Sequence, residues 1–130
     1  MKNINDRTDL GITRLSLVNV TVPLNAEAAA KEFYGTVLGL EQIPKPPGSR
    51  QNMGAWYELG GVQLHLSVEE SVPNAASDRH ICYVVPDIAV AQRRLSDAGT
   101  EIISDPRPIA GVSRFYVRDP GGILIEITEE

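Results

Sequence analysis

The strongest constraint on how this chain can fold is an internal repeat. Val22-Pro23 recurs as Val85-Pro86, an offset of 63, and Gly60-Gly61 recurs as Gly121-Gly122, an offset of 61. A helix-compatible stretch follows each Val-Pro. The first is NAEAAAKEFYGTVLG, with Asn25 as N-cap and Gly39 as stop; the second is DIAVAQRRLSDAG, with Asp87 as N-cap and Gly99 as stop. Each glycine leads into a short strand, LEQIP or TEIIS, then a proline-containing loop, then two strands meeting at the glycine pair. The order β-α-β-β-β therefore occurs twice, which predicts an α+β fold of two tandem βαβββ modules. The boundaries read as a flexible tail over 1–13, a first module over 14–68, a linker over 69–78 and a second module over 79–130. At 130 residues the two modules form one domain with a common core.

Strand alternation sorts the side chains into faces. In VQLHLSV, Val62, Leu64, Leu66 and Val68 share the apolar face, and Gln63, His65 and Ser67 the other. In GILIEITE, Ile123, Ile125 and Ile127 oppose Leu124, Glu126 and Thr128. The offset of 61 carries His65 onto Glu126, and the offset of 63 carries Leu17 onto His80, with Asn19 two residues on and on the same face as Leu17. Both histidines of the chain thus fall among four equivalent positions. Two imidazoles and a carboxylate suit iron, manganese, nickel or zinc and leave coordination positions open. The bland alternative stays open at this stage. A strand histidine is more often a satisfied polar residue than a ligand, and Glu126 can equally face solvent.

Other residues extend the candidate site. Trp56, Tyr57, Phe115 and Tyr116 offer stacking surfaces, with the reservation that alternate members of each pair belong in the core. Arg50, Arg114 and Arg118 can hold an anionic group, and the loop EQIPKPPGSRQNMGA, carrying Lys45 and Arg50, is of the kind that gates a pocket. Composition narrows the classes. A net charge of −5 without a basic run argues against nucleic acid. No apolar run is long enough to span a bilayer. A single cysteine, Cys82, and no secretory signal at the N-terminus fit a cytoplasmic protein.

The segments FYGTVLGL, WYELGGVQLHL, RHICYVVPDIAVAQRRLSDAG and FYVRDPGGILIEI together resemble the vicinal oxygen chelate superfamily, the group of glyoxalases, bleomycin resistance proteins and extradiol dioxygenases. The resemblance spans about residues 14 to 128. It implies that each module forms a cup-shaped half-barrel and that paired cups enclose a divalent metal (zinc, nickel, manganese or iron) held by the first and last strands of the modules. Carried over by position, it implies His65, His80 and Glu126 as ligands, with Glu126 also in proton transfer. Leu17 stands where such proteins commonly have histidine. A 14.1 kDa pair of half-barrels can exchange modules between chains and build two sites, so a homodimer is expected. The function the resemblance implies is a metal-dependent enzyme of lyase, isomerase or dioxygenase type acting on a small oxygen-bearing substrate. The alternative is a metal-free protein that binds small molecules, of the bleomycin-resistance type.

Overall fold

The computed structural model describes residues 9–130; the first eight residues of the expected tail lie outside the described residues. The first module contains β1 (Leu17–Val22), α1 (Glu27–Glu32), β2 (Glu41–Ile43), β3 (Ala55–Leu59) and β4 (Val62–Val68). The second contains β5 (His80–Val85), α2 (Ile88–Asp97), β6 (Arg114–Arg118) and β7 (Leu124–Glu129). The strands form two mixed sheets, ordered β1-β4-β3-β2 and β5-β7-β6. The first strand of each module runs parallel to its last, and the remaining pairs are antiparallel. This is the α+β architecture expected from the repeat.

Two local expectations are corrected. TEIIS does not form a full strand: only Ile103 bridges, exchanging hydrogen bonds of 2.7 and 2.9 Å with Tyr116. Pro106 and Pro108 follow closely and have no amide to extend a ladder. The two helices also differ. Asp87 caps α2 as expected, its Oδ1 accepting from the Val90 amide at 3.1 Å. Asn25 does not cap α1. It lies inside a 3₁₀ turn, Leu24–Ala26, closed by a 2.9 Å bond from the Ala26 amide to the Pro23 carbonyl, so the α-helix starts from Ala26. Beyond α1 the chain widens into a π-helical turn, Phe33–Val37.

One core serves both modules. Val20, Val22, Phe33, Tyr34, Leu64 and Leu66 from the first join Leu95, Phe115, Val117, Ile125 and Ile127 from the second. These belong to the helix-covered faces of the two sheets, which leaves the opposite, cup faces outside the shared core. Two contacts fix how the modules meet. A Cβ at Gly121 would lie 2.4 Å from Val22 Cγ1, so the β6–β7 turn can approach β1 this closely only as glycine. Beside it the buried Tyr34 hydroxyl donates to Asp119 Oδ2 at 2.6 Å, while Asp119 Oδ1 accepts from the Gly121 and Ile123 amides at 2.8 and 2.9 Å. Burial, then the Asp119 charge, pushes the Tyr34 hydroxyl far above its ordinary range, and burial likewise raises Asp119. With three donors on a buried carboxylate, the pair is satisfied as a structural latch.

Candidate functional site

The ladder registers give the repeat a geometric meaning. In the first module Leu17 stands opposite Gln63 and Asn19 opposite His65. In the second His80 stands opposite Leu124 and Cys82 opposite Glu126. Each pair maps onto its counterpart under the offsets of 63 and 61. The diagonal that joins His80 to Glu126 therefore joins Leu17 to His65.

On the second module that diagonal is closed. His80 Nε2 lies 3.0 Å from Glu126 Oε1. His80 Nδ1 lies 2.8 Å from the Asp78 carbonyl, which can only accept, so Nδ1 carries the hydrogen and Nε2 is the nitrogen turned to the carboxylate. This is the arrangement that orients a metal-binding imidazole, with the far nitrogen tied to a backbone oxygen. Two donors bound to one ion at about 2.1 Å and a right angle stand about 3.0 Å apart. The spacing therefore fits two donors sharing a divalent cation; a direct hydrogen bond across it requires a second proton, on Nε2. Cys82, two residues along β5, brings its Sγ to 3.4 Å from Glu126 Oε2. Desolvation, then the bond to Glu126, pushes this thiol up to about 11, so it serves as an S–H donor rather than a thiolate.

Around this pair, Tyr116 of β6 lies edge-on to His80 with centroids 5.8 Å apart, and the Arg114 guanidinium lies 5.8 Å from the Tyr116 ring. Arg114 is gripped by Asp105, Nε to Oδ2 at 2.7 Å and Nη2 to Oδ1 at 3.3 Å. The same contact holds the Asp105 carboxyl below its ordinary range. Sequence reasoning missed Asp105. The turn-forming DPRP that carries it gave only a loop signal.

On the first module the diagonal is open. Leu17 is exposed and has nothing to donate. His65 instead stacks on Trp56, with ring centroids 3.8 Å apart and planes 7° from parallel. Its Nε2 lies 2.9 Å from Gln63 Oε1. Desolvation, then the Lys45 ammonium, holds the imidazole below its ordinary range, which keeps it neutral and able to coordinate. A cleft of about 280 Å³ lies against it, lined by Lys45, Ser49, Arg50, Met53, Trp56 and Ser67. Lys45 ties down the loop over this cleft through the Arg50 and Met53 carbonyls. Asn19 is engaged by Ser67, whose hydroxyl donates to Asn19 Oδ1 at 2.7 Å.

The structure thus brings His80, Glu126, Arg114 and Cys82 together, and Trp56, His65 and Arg50 together in a second group. Among the described residues, no three His, Cys, Asp or Glu side chains are grouped closely enough within the chain to hold an ion. Tyr57 and Phe115 line neither group. They are 1% and 4% exposed on the helix-covered faces, because alternation turns Trp56 and Tyr116 to the cups and their neighbours to the core. Arg118 is spent on backbone, donating to the Asn74, Ser77 and Gly122 carbonyls. No helix among the described residues is long and apolar enough to cross a membrane.

Comparison with known proteins bears on this geometry. Residues 16–127 match the sequence profile of the Glyoxalase/Bleomycin resistance protein/Dioxygenase superfamily. The crystal structure of a glyoxalase family protein from Bacillus anthracis superposes with a TM-score of 0.80 at 34% identity, covering 100% of this chain and 99% of that one. The ethylmalonyl-CoA/methylmalonyl-CoA epimerase of Cereibacter sphaeroides is 27% identical over 133 residues, covering 91% of this chain and 98% of the epimerase. The CFP32 protein of Mycobacterium tuberculosis, named as a glyoxylase, is 26% identical over 99 residues; the match spans 75% of this chain but 38% of CFP32.

Proposed function

Because the chain belongs to the Glyoxalase/Bleomycin resistance protein/Dioxygenase superfamily, we propose that it is a metal-dependent enzyme of lyase or isomerase type, acting on a small substrate with two vicinal oxygens. The observation that carries this reading is the His80–Glu126 pair: Nε2 and Oε1 at 3.0 Å, with His80 Nδ1 tied to the Asp78 carbonyl. His80 and Glu126 Oε1 are the residues that would hold the ion. The neutral His65 supplies the third donor, contributed by a second copy of the chain whose first-module cup closes over the second-module cup. Both cup faces lie outside the shared core, which suits closure between two copies. To ligate through Nε2, His65 exchanges its contact with Gln63 for the ion.

When bound, a divalent metal supplies a Lewis acid that holds the vicinal oxygens and draws charge from the carbonyl. The chain supplies the proton transfer. Oε1 faces His80, so Oε2 is the carboxylate oxygen placed to accept a proton from the substrate carbon and return it. Cys82 steadies Oε2 through its S–H, and Tyr116 shields the pair from one side. An epimerase among the relatives accords with proton transfer at a single carbon.

Elemental analysis after loading with zinc, nickel, manganese or ferrous iron tests this. The expected result is about one ion per chain in the parent and a large loss in His80→Ala. Background metal in the parent for all four ions would overturn it. A second reading rests on Leu17 and the Trp56–His65 stack: a protein that binds a small aromatic ligand in the first-module cup without metal. Background metal combined with quenching of Trp56 fluorescence by such ligands would favour it.

A further inference from the structure

Arg114 presents one nitrogen that the fold does not use. Its Nε and Nη2 are both consumed, by Asp105 at 2.7 and 3.3 Å and by the Arg107 carbonyl at 2.9 Å from Nη2. Nη1 donates no hydrogen bond among the described residues. It stands 3.9 Å from Glu126 Oε2, beyond hydrogen-bond reach, on the cup face. The side chain is only 14% exposed and its partner Asp105 11%, so the guanidinium is held in one orientation rather than waving in solvent. Five N–H groups in a rigid fork, three of them committed to Asp105 and Arg107, leave the two on Nη1 free beside Glu126 Oε2.

That geometry has a consequence for charge. A substrate oxyanion placed beside Glu126 meets a like charge, and binding there is unfavourable without a cation. Arg114 is the side-chain cation 3.9 Å from Glu126 Oε2, and its uncommitted nitrogen is the one nearest that oxygen. The Tyr116 ring beneath the guanidinium adds a further restraint on its position.

Building on the proposed proton-transfer reading, we propose that Arg114 is the specificity-determining residue of the second-module cup. It selects substrates that carry a carboxylate or comparable oxyanion next to the reacting carbon, and Asp105 is the positioning residue that aims it. The chemistry recognised is an anionic oxygen within reach of Nη1 and adjacent to Glu126 Oε2.

Calorimetric titration with oxalate and with oxamide, its neutral isostere, tests this on the purified protein, both metal-free and loaded with manganese. The parent should prefer oxalate. Arg114→Gln should weaken oxalate binding at least about tenfold while leaving oxamide binding unchanged. Arg114→Lys, which keeps the charge and loses the fork, should give an intermediate ratio and decides the matter if the glutamine variant does not fold. Asp105→Asn should lower the oxalate-to-oxamide ratio by a few-fold, an effect that a purely structural role for Asp105 would not produce. An unchanged ratio in the Arg114 variants, or a parent that does not prefer oxalate, overturns the proposal. The two readings fail separately. Metal bound normally with an unchanged ratio sinks the Arg114 assignment alone. No metal bound, with the ratio still dependent on Arg114 in metal-free protein, sinks the metal reading alone.

Discussion

The two modules share a backbone and differ in chemistry. Under the same offsets their first and last strands pair in the same register, yet the diagonal that holds an imidazole and a carboxylate at 3.0 Å in the second module holds Leu17 and His65 in the first. The second module carries on its cup face a polar, mutually oriented group: His80, Glu126, Arg114 and Asp105. The first has spent it on a stack, with His65 lying flat on Trp56 under a loop tied down by Lys45. A duplicated fold fixes where side chains point. It leaves open what they are, so one half can carry the chemistry while the other shapes and covers it.

The comparison breaks most readily at Glu126. Glu126→Gln keeps the shape and removes the charge. It should lower divalent-metal affinity at least about a hundredfold, whereas Asn19→Ala, on the first-module cup, should change it little. Equal effects of the two, read by competitive metal titration, would mean the modules are not specialised. Next in size is the bond that ties the unlike halves together. Tyr34→Phe leaves the buried Asp119 carboxylate one donor short and should cost about 1–3 kcal/mol in urea unfolding. A variant as stable as the parent would mean that the latch does not couple the modules.

A smaller change should make the modules more alike. Leu17→His places a donor where the second module has His80 and should tighten metal binding about tenfold while slowing turnover by filling an open position. Affinity at or below that of the parent would show that position 17 does not face the ion. The smallest contrast concerns the helices. Asp87→Ala should cost about 1 kcal/mol, because it removes a cap whose bond to the Val90 amide is present at 3.1 Å. Asn25→Ala, at the position the sequence pattern marks as the cap of the first helix, should stay within about 0.5 kcal/mol. Matching losses in thermal unfolding would contradict the uncapped start of α1.

Much of this was legible in the sequence because strands encode faces with a period of two. Alternation alone sets His65 opposite Leu64 and Leu66, and Glu126 opposite Ile125 and Ile127, which the structure buries in the core. The same rule separates Trp56 from Tyr57 and Tyr116 from Phe115, although it does not say which member of each pair turns inward. What could not be read depends on contacts between distant segments. Asp105 reaches Arg114 from an irregular loop with no periodic signal. His65 meets Trp56 only once β3 and β4 are in register. The failed cap at Asn25 arises because Pro23 caps a 3₁₀ turn two residues before the position the capping pattern assumes. The shortened strand at Ile103 reflects prolines whose missing amides matter only when a neighbouring strand needs them.

In the proposed enzyme, one site draws on the second module of one chain and the first module of another. Mixing resolves it most directly. His65→Ala and His80→Ala chains, each purified, are unfolded together in equal amounts, refolded and assayed for bound metal. Alone, each should hold far less than the parent. Together, half of the dimers pair unlike chains, and each such dimer recovers one complete site, so the mixture should regain about a quarter of the parent's metal per chain. If the parent binds metal and the mixture holds no more than its separate components, the site is not shared between chains and the account is wrong.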